Sequence, residues 1–203
     1  MKTGYRRVVN MIIDISQEVF SCVVFPGDPS PIMERKNAIK DGDVCNLTAF
    51  SMCAHNGTHV DAPYHFIDEG KTIDKVSLES FVGDCYVARH IGDVTEDDAR
   101  DILAKAKEEG AAERILIAGK ATVTADAAKV FAEAKIKLIG NESQTVGPEN
   151  APKEVHLILL GEGVVLLEGI VLKDVPEGKY FLSAAPLNLA GCDGAPCRAI
   201  LIR

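Results

Sequence analysis

The chain has 203 residues, of which 47% are hydrophobic and 26% charged, and its formal net charge is −8. That acidity argues against a general affinity for nucleic acid or for an anionic membrane. No apolar run approaches the roughly 20 residues that span a bilayer, and the length suits one domain, 1–203, burying roughly 70% of its unfolded surface.

Met1 to Arg7 is basic, but the run that follows, Val8 to Ile13, is too short and too interrupted for a signal-peptide core, so the expected location is the cytoplasm. Met11 is an alternative start that would leave residues 1–10 as an N-terminal extension. Val8 to Ser16 is rich in β-branched residues and predicts a strand, closed by Asp14-Ile15-Ser16. The six cysteines form no Cys-x-x-Cys pair, which predicts free and mostly buried thiols. Cys53, near the histidines discussed next, is the one cysteine worth testing as a nucleophile. The apolar run Val23-Val24-Phe25 stops at a Pro26-Gly27-Asp28-Pro29 turn. A polar stretch, Lys36 to Asp43, precedes a predicted strand over Val44 to Cys53.

That strand feeds His55-Asn56-Gly57-Thr58-His59-Val60-Asp61-Ala62-Pro63-Tyr64-His65, which holds three of the five histidines. Pro63 is unfit for a helix interior, and Gly57, Thr58 and Val60 favour extended chain or turn. Read as extended chain, the stretch puts His55, Gly57, His59, Asp61 and His65 on one face, with Asn56, Thr58 and Val60 facing away. Imidazoles beside a carboxylate suit a borderline cation such as Zn²⁺ or Mn²⁺, and the two carboxylate oxygens are able to bridge a pair of ions. The competing reading is three unrelated loop histidines, each satisfied by a local hydrogen bond. Gly57 leaves space for a bulky group to approach the backbone.

Downstream, Phe66 to Thr72 predicts a strand end and a turn whose Asp68 and Glu69 are solvated, Ser77 to Gly83 a short element, and Asp84 to Ile91 a strand carrying a structural His90. Thr95 and the acids after it predict a helix start, the helix runs on through Ala99 to Glu109, and Gly110 stops it. Strand Arg114 to Ala118, helix Thr124 to Ala134 and strand Ile136 to Gly140 follow, an order that argues α/β with parallel pairing. Asn141 to Gln144 lies where ligand loops of such sheets form. Pro152 to Leu160 predicts a helix carrying His156, Gly161-Glu162-Gly163 a turn, and Val164 to Ile170 an apolar strand with Glu168 inside it. An ionised Glu168 there is either paired, bound to metal, or pointed outward from an edge strand.

The motif His-x-Gly-Thr-His-x-Asp-x-Pro-x-His resembles the signature of the metal-dependent cyclase/hydrolase family that includes bacterial kynurenine formamidases and isatin hydrolases. The resemblance runs from about Asp14 to closing strands over Tyr180 to Leu187 and Gly191 to Ile202, which flank a Gly-rich loop. It implies metal ligation by His55, His59 and Asp61 and catalysis by His65. It also implies metal ligation by His156 and Glu168, which match a family histidine on a helix and a glutamate twelve residues later. Phe25 stands where family members carry an aromatic residue before Pro-Gly-Asp, often Trp. There it would wall an aromatic substrate without offering an indole N–H, or else serve only as core. Where the family often has Gly-x-Asp-x-x-Ser, this chain has Gly140-Asn141-Glu142, a departure that bears on substrate more than on metal.

The implied fold is a single α/β domain with a mixed, barrel-like β-sheet and flanking helices, of the swivelling β/β/α type. The implied activity is metal-dependent amide hydrolysis with one or two divalent cations, zinc ahead of manganese, on the small molecule N-formyl-L-kynurenine in tryptophan catabolism. Alternatives are hydrolysis of isatin or another cyclic amide or lactone, and a metal-dependent binding homologue without turnover. The resemblance further implies a homo-oligomer, dimer or tetramer.

Overall fold

The structure is a computed structural model that describes residues 11–203. The suggested extension over residues 1–10, and the start of the strand expected at Val8, lie outside the described residues. In chain order come β1 (Ile12–Asp14), β2 (Ile32–Asn37), β3 (Leu47–Ser51), β4 (His59–Asp61), β5 (Val82–Arg89) and β6 (Gly92–Val94). Next are α1 (Glu96–Glu108), β7 (Arg114–Ala118), β8 (Ala121–Val123), α2 (Ala125–Glu133), β9 (Leu138–Asn141) and α3 (Lys153–Gly161). The chain closes with β10 (Val165–Glu168), β11 (Gly178–Ser183), β12 (Gly194–Pro196) and β13 (Ile200–Ile202).

Nine strands form the main sheet in the order β1-β13-β11-β5-β7-β9-β10-β4-β12. Its centre is parallel: β5, β7, β9 and β10 run the same way, joined by crossovers that contain α1, α2 and α3. Both flanks are antiparallel. This is the α/β class the strand-helix alternation predicts. The helices begin where the sequence places caps. Thr95 and Asp98 form a reciprocal capping box on α1, and Thr124 Oγ1 accepts from Ala127 N on α2. Ala99, Ile102, Leu103 and Ala106 make one buried stripe on α1 at helical spacing.

Strand alternation divides the interior into two cores. Ile115, Ile117, Ile139 and Leu166 pack with the helices, whereas Leu116, Leu138, Val165 and Leu167 fill the opposite face. The second core also takes Ile15 from beyond β1 and Val60 and Ala195 from the far edge. In a flat sheet, β1 and β10 would stand about 29 Å apart at the usual spacing. Instead, Val171 N, just after β10, donates to Ile15 O at 2.9 Å. The sheet is therefore curled into a half-barrel around that second core, with three helices on its outside, as the barrel-like expectation has it.

Two regions depart from the sequence reading. The strand expected over Val44 to Cys53 is shorter and does not join the main sheet, because β3 pairs only with β2 in a separate antiparallel hairpin. Residues Gly92–Val94 and Ala121–Val123 form a small parallel pair, β6 with β8, that carries no periodic signal long enough to read. Among the described residues no helix is long and apolar enough to cross a membrane.

Candidate metal centre

The histidine-rich stretch is not one extended strand. Only His59–Asp61 is strand; Ala54 to Thr58 form a turn, and Pro63–His65 a single 3-10 turn. Gly57 adopts φ +64°, and a Cβ there would lie 2.9 Å from Cys22 Cβ. The bulky neighbour of Gly57 is thus Cys22. Pro63 opens the 3-10 turn, where its missing N–H costs nothing. Alternation survives for one triplet: Val60 enters the curled core while His59 and Asp61 face the helix side. His55 and His65 arrive by the turns at either end.

Register brings the distant residues in. On β10, Glu168 lies opposite His59 across the antiparallel β4–β10 pair. Since β10 sits between β9 and β4, Glu168 is on an interior strand and only 2% exposed, which removes the outward-pointing alternative. His156 projects from α3 onto the same face. Its Nε2 lies 3.4 Å from Glu168 Oε1 and 3.6 Å from Asp61 Oδ2. His59 Nε2 is 3.5 Å from both Asp61 Oδ1 and Glu168 Oε2. On the outer side, His55 Nδ1 is 2.8 Å from Asp61 Oδ1 and His65 Nε2 is 3.9 Å from Asp61 Oδ2.

Neighbouring groups orient each ring. His59 Nδ1 donates to Gly57 O at 2.9 Å, and His156 Nδ1 to Pro152 O at 2.9 Å. Carbonyls only accept, so Nδ1 carries hydrogen in both rings, and Nε2 is the atom turned to Asp61 and Glu168, a lone pair once the ring is neutral. Glu168 Oε1 accepts from Val146 N at 2.7 Å. The loop after β9 is shaped for that contact: buried Asn141 donates to Ala121 O and Thr145 O. Glu142 accepts from Gly119 N and Leu172 N and ties the loop to its neighbours.

The electrostatics favour cations. Burial opposes charge on His55, yet Asp193 and Asp61 hold it up at about 11. His156 is likewise raised, to about 10, because Asp61 and Glu168 outweigh its burial. His59 is raised for the same reason, by Glu168 and Asp61. Burial alone would raise Asp61, but His156 and His55 hold it well below the carboxylate range. His65 differs: burial dominates and lowers its pKa, which favours the uncharged imidazole.

Donor geometry fits a divalent cation. Asp61 is fully buried, and among the described residues its Oδ2 has no hydrogen-bond partner, a costly state for an anionic oxygen. Ligand atoms around a tetrahedral zinc with bonds of about 2.0–2.1 Å stand about 3.4 Å apart. His59 Nε2 lies 3.5 Å from Asp61 Oδ1 and Glu168 Oε2, and His156 Nε2 lies 3.6 and 3.4 Å from the other oxygens, Asp61 Oδ2 and Glu168 Oε1, so each ring faces its own carboxylate oxygens at about that spacing. Two ligand groups emerge, His59-Asp61-Glu168 and His55-Asp61-His65, each with donor atoms within 4.8 Å of one another. Asp61 belongs to both.

Other predicted residues sit elsewhere. Phe25 is half-buried and lines a cleft of about 270 Å³ with Thr122, Gln144, Thr145 and Gly147, and none of the six clustered residues lines it. Cys53 Sγ lies 3.8 Å from Asp28 Oδ2 and joins neither ligand group. Asp68 and Glu69 are exposed, and His90 bonds Asp93 O locally. Two site neighbours escape the sequence reading. Asp193 Oδ2 lies 2.8 Å from His55 Nε2 and 3.2 Å from His65 Nδ1. The Phe66 ring lies 4.4 Å from that of His156 and 4.6 Å from that of His65. The Gly191-to-Gly194 loop offered one signal, a carboxylate between glycines, but no local pattern says that β12 pairs with β4.

Comparison with known proteins agrees with this architecture. A family model described as "Putative cyclase" matches residues 13–148. A kynurenine formamidase of Salinibacter ruber is 34% identical over 94% of this chain and 96% of its own. One from Erythrobacter litoralis is 32% identical over 94% and 93%. A solved structure described as a potential metal-dependent hydrolase with cyclase activity is 28% identical, covers 95% of this chain and 98% of that one, and superposes with a TM-score of 0.79.

Proposed function

The chain belongs to the cyclase family, and from that premise we propose that it is a metal-dependent hydrolase of a non-peptide C–N bond, an arylformamidase that converts N-formyl-L-kynurenine to L-kynurenine and formate. The observation that carries the proposal is the buried Asp61, common to two ligand groups and with an Oδ2 that makes no hydrogen bond among the described residues, beside a histidine whose burial favours the uncharged ring. His55, His59, Asp61, His156 and Glu168 hold the cation or cations, zinc ahead of manganese. A cation in this site supplies Lewis-acid polarisation of the formyl carbonyl and acidification of water.

The chain supplies the rest. Depth is graded: His59, Asp61, His156 and Glu168 are buried, whereas the side chains of His65 and Asp193 are 27% and 41% exposed. Substrate and water therefore enter past His65. With its Nε2 toward Asp61, that ring takes a proton from the attacking water and returns it to the departing aryl amine. The water oxygen first bonds to the formyl carbon; the C–N bond then breaks as its nitrogen receives that proton, and formate and the free amine leave. Phe66 forms an apolar wall beside both histidines. Phe25 is assigned to substrate binding from its own cleft, where the Gln144 amide and the Thr145 hydroxyl lack partners.

We place the enzyme in the cytoplasm, a reading supported by six free cysteines. It acts as a homo-oligomer, a reading supported by the hairpin's Ile32, Met33, Leu47 and Phe50, which stay exposed among the described residues. The test is a substrate panel on protein of measured metal content. N-formylkynurenine should turn over faster than isatin, and only in metal-loaded protein. Faster isatin opening would reassign the substrate, full activity after metal stripping would remove the metal from the mechanism, and binding without product would make the chain a non-catalytic homologue.

A further inference from the structure

The role of Asp193 is assigned by nothing so far described. We propose that Asp193 is a positioning residue that sets the tautomers of His55 and His65 together and leaves His65 Nε2 bare toward Asp61. A single oxygen, Asp193 Oδ2, faces both rings, at 2.8 Å from His55 Nε2 and 3.2 Å from His65 Nδ1. The rings stack with centroids 4.0 Å apart and planes at 27°. An ionised carboxylate only accepts, so both nitrogens facing it carry hydrogen. In each neutral ring the opposite nitrogen is then a lone pair. For His65 this is Nε2, the atom that moves the proton in the proposed mechanism; His55 Nδ1, 2.8 Å from Asp61 Oδ1, becomes a lone pair only when that ring gives up the proton shared with Asp61. Without the carboxylate, an imidazole partly open to water is free to adopt the other tautomer, which has no base on the reacting side.

The fold holds Asp193 in place for this. The next residue, Gly194, pairs with Asp61 across β4 and β12, and Ala62 N donates to Asp193 O at 2.9 Å. The backbone of the positioning carboxylate is thereby fixed to the strand that carries the shared ligand. Gly194 has no side chain for a reason: a Cβ there would lie 2.7 Å from His55 Cε1. On the other side, Ile73 N donates to Cys192 O, and Gly191 N donates to Asp74 Oδ1 at 3.0 Å. The loop is clamped at both ends, with Asp193 between the clamps.

This inference rests on the roles proposed for His55 and His65, and its test separates the two. Nitrogen-15 NMR of the zinc-loaded full chain, labelled at histidine, reads the tautomer of each ring directly. Wild type should show His65 protonated at Nδ1 and bare at Nε2. Asp193→Ala should shift His65 to the Nε2–H form, lower kcat by about 10–100-fold with KM within about twofold, and weaken zinc by about 10–100-fold. Asp193→Asn keeps an accepting oxygen and should restore most of the wild-type tautomer and of kcat. A wild-type His65 protonated at Nε2, or a tautomer unchanged in Asp193→Ala, overturns the assignment even in a fully active formamidase. A tautomer that follows Asp193 in a protein that hydrolyses no formamide supports the assignment while removing the substrate reading.

Discussion

Two short β segments, β4 and the β2–β3 hairpin, lie within thirty residues of each other and have opposite surroundings. Every residue of β4 is buried, whereas no residue of β2 or β3 is. β4 pairs with β10 on one side and β12 on the other; among the described residues the hairpin strands pair only with each other. The difference separates two demands on the chain. A ligand set that must place several donor atoms around one point needs strands fixed on both sides and closed to water. A two-stranded ribbon is marginal by itself in water, so one that displays Ile32, Met33, Leu47 and Phe50 is suited to cover from outside the chain.

The comparison is broken most severely at the buried strands. Glu168→Gln keeps the acceptor for Val146 N but removes the charge opposite His59. We expect kcat/KM to fall by more than about a thousandfold, given the several kcal/mol that a cation contributes to such transition states. Steady-state assays on folded variant protein check this, and near-wild-type turnover would take Glu168 out of the ligand set. Next in size is His65→Ala, which touches the mouth of the site. It should retain metal and lose about 10²–10⁴ in kcat, the usual contribution of a proton-transfer group. Metal loss with it would make His65 a ligand.

At the hairpin the expected effects change kind. Phe50→Glu should leave monomer stability within about 0.5 kcal/mol and convert an oligomer to a smaller species in gel filtration with light scattering. An unchanged mass would place the assembly surface elsewhere. Smallest is Thr95→Ala at the α1 cap, expected to cost about 1 kcal/mol in chemical denaturation without altering activity. Asp98, the other half of that box, has its pKa lowered by the Thr95 hydroxyl and backbone N–H. Its contribution is therefore present above the unfolded carboxylate pKa and lost as pH falls through the lower folded value. The gap between wild type and Thr95→Ala should narrow in acid, and a constant gap would leave Asp98 without a share.

The same contrast marks how much the sequence discloses. The parallel centre was legible because each strand and helix there carries its own periodicity and cap, from Thr95 through Gly140. Six residues of the cluster were legible because their types suit one chemistry, and because His156 and Glu168 kept a family spacing. Their convergence was not legible in the form expected. Extended alternation accounts for His59 and Asp61 alone; His55 and His65 come in through a Gly57 turn and a Pro63 turn, whose geometry depends on what packs against them. Asp193 was hidden because its place follows from β12 pairing with β4, a contact across more than 130 residues. The strand expected over Val44 to Cys53 is there as β3 but pairs with β2 instead of the main sheet, because pattern says where a strand is, and not which sheet takes it.

The central claim is that Asp61 is the shared ligand of a cation that the chain itself holds. Elemental analysis of wild type and Asp61→Asn, after gel filtration in metal-free buffer and with circular dichroism to confirm the fold, tests it directly. The account predicts about one or two equivalents of zinc or manganese per wild-type chain and a near-complete loss in the variant. Equal metal content in the two proteins would contradict it.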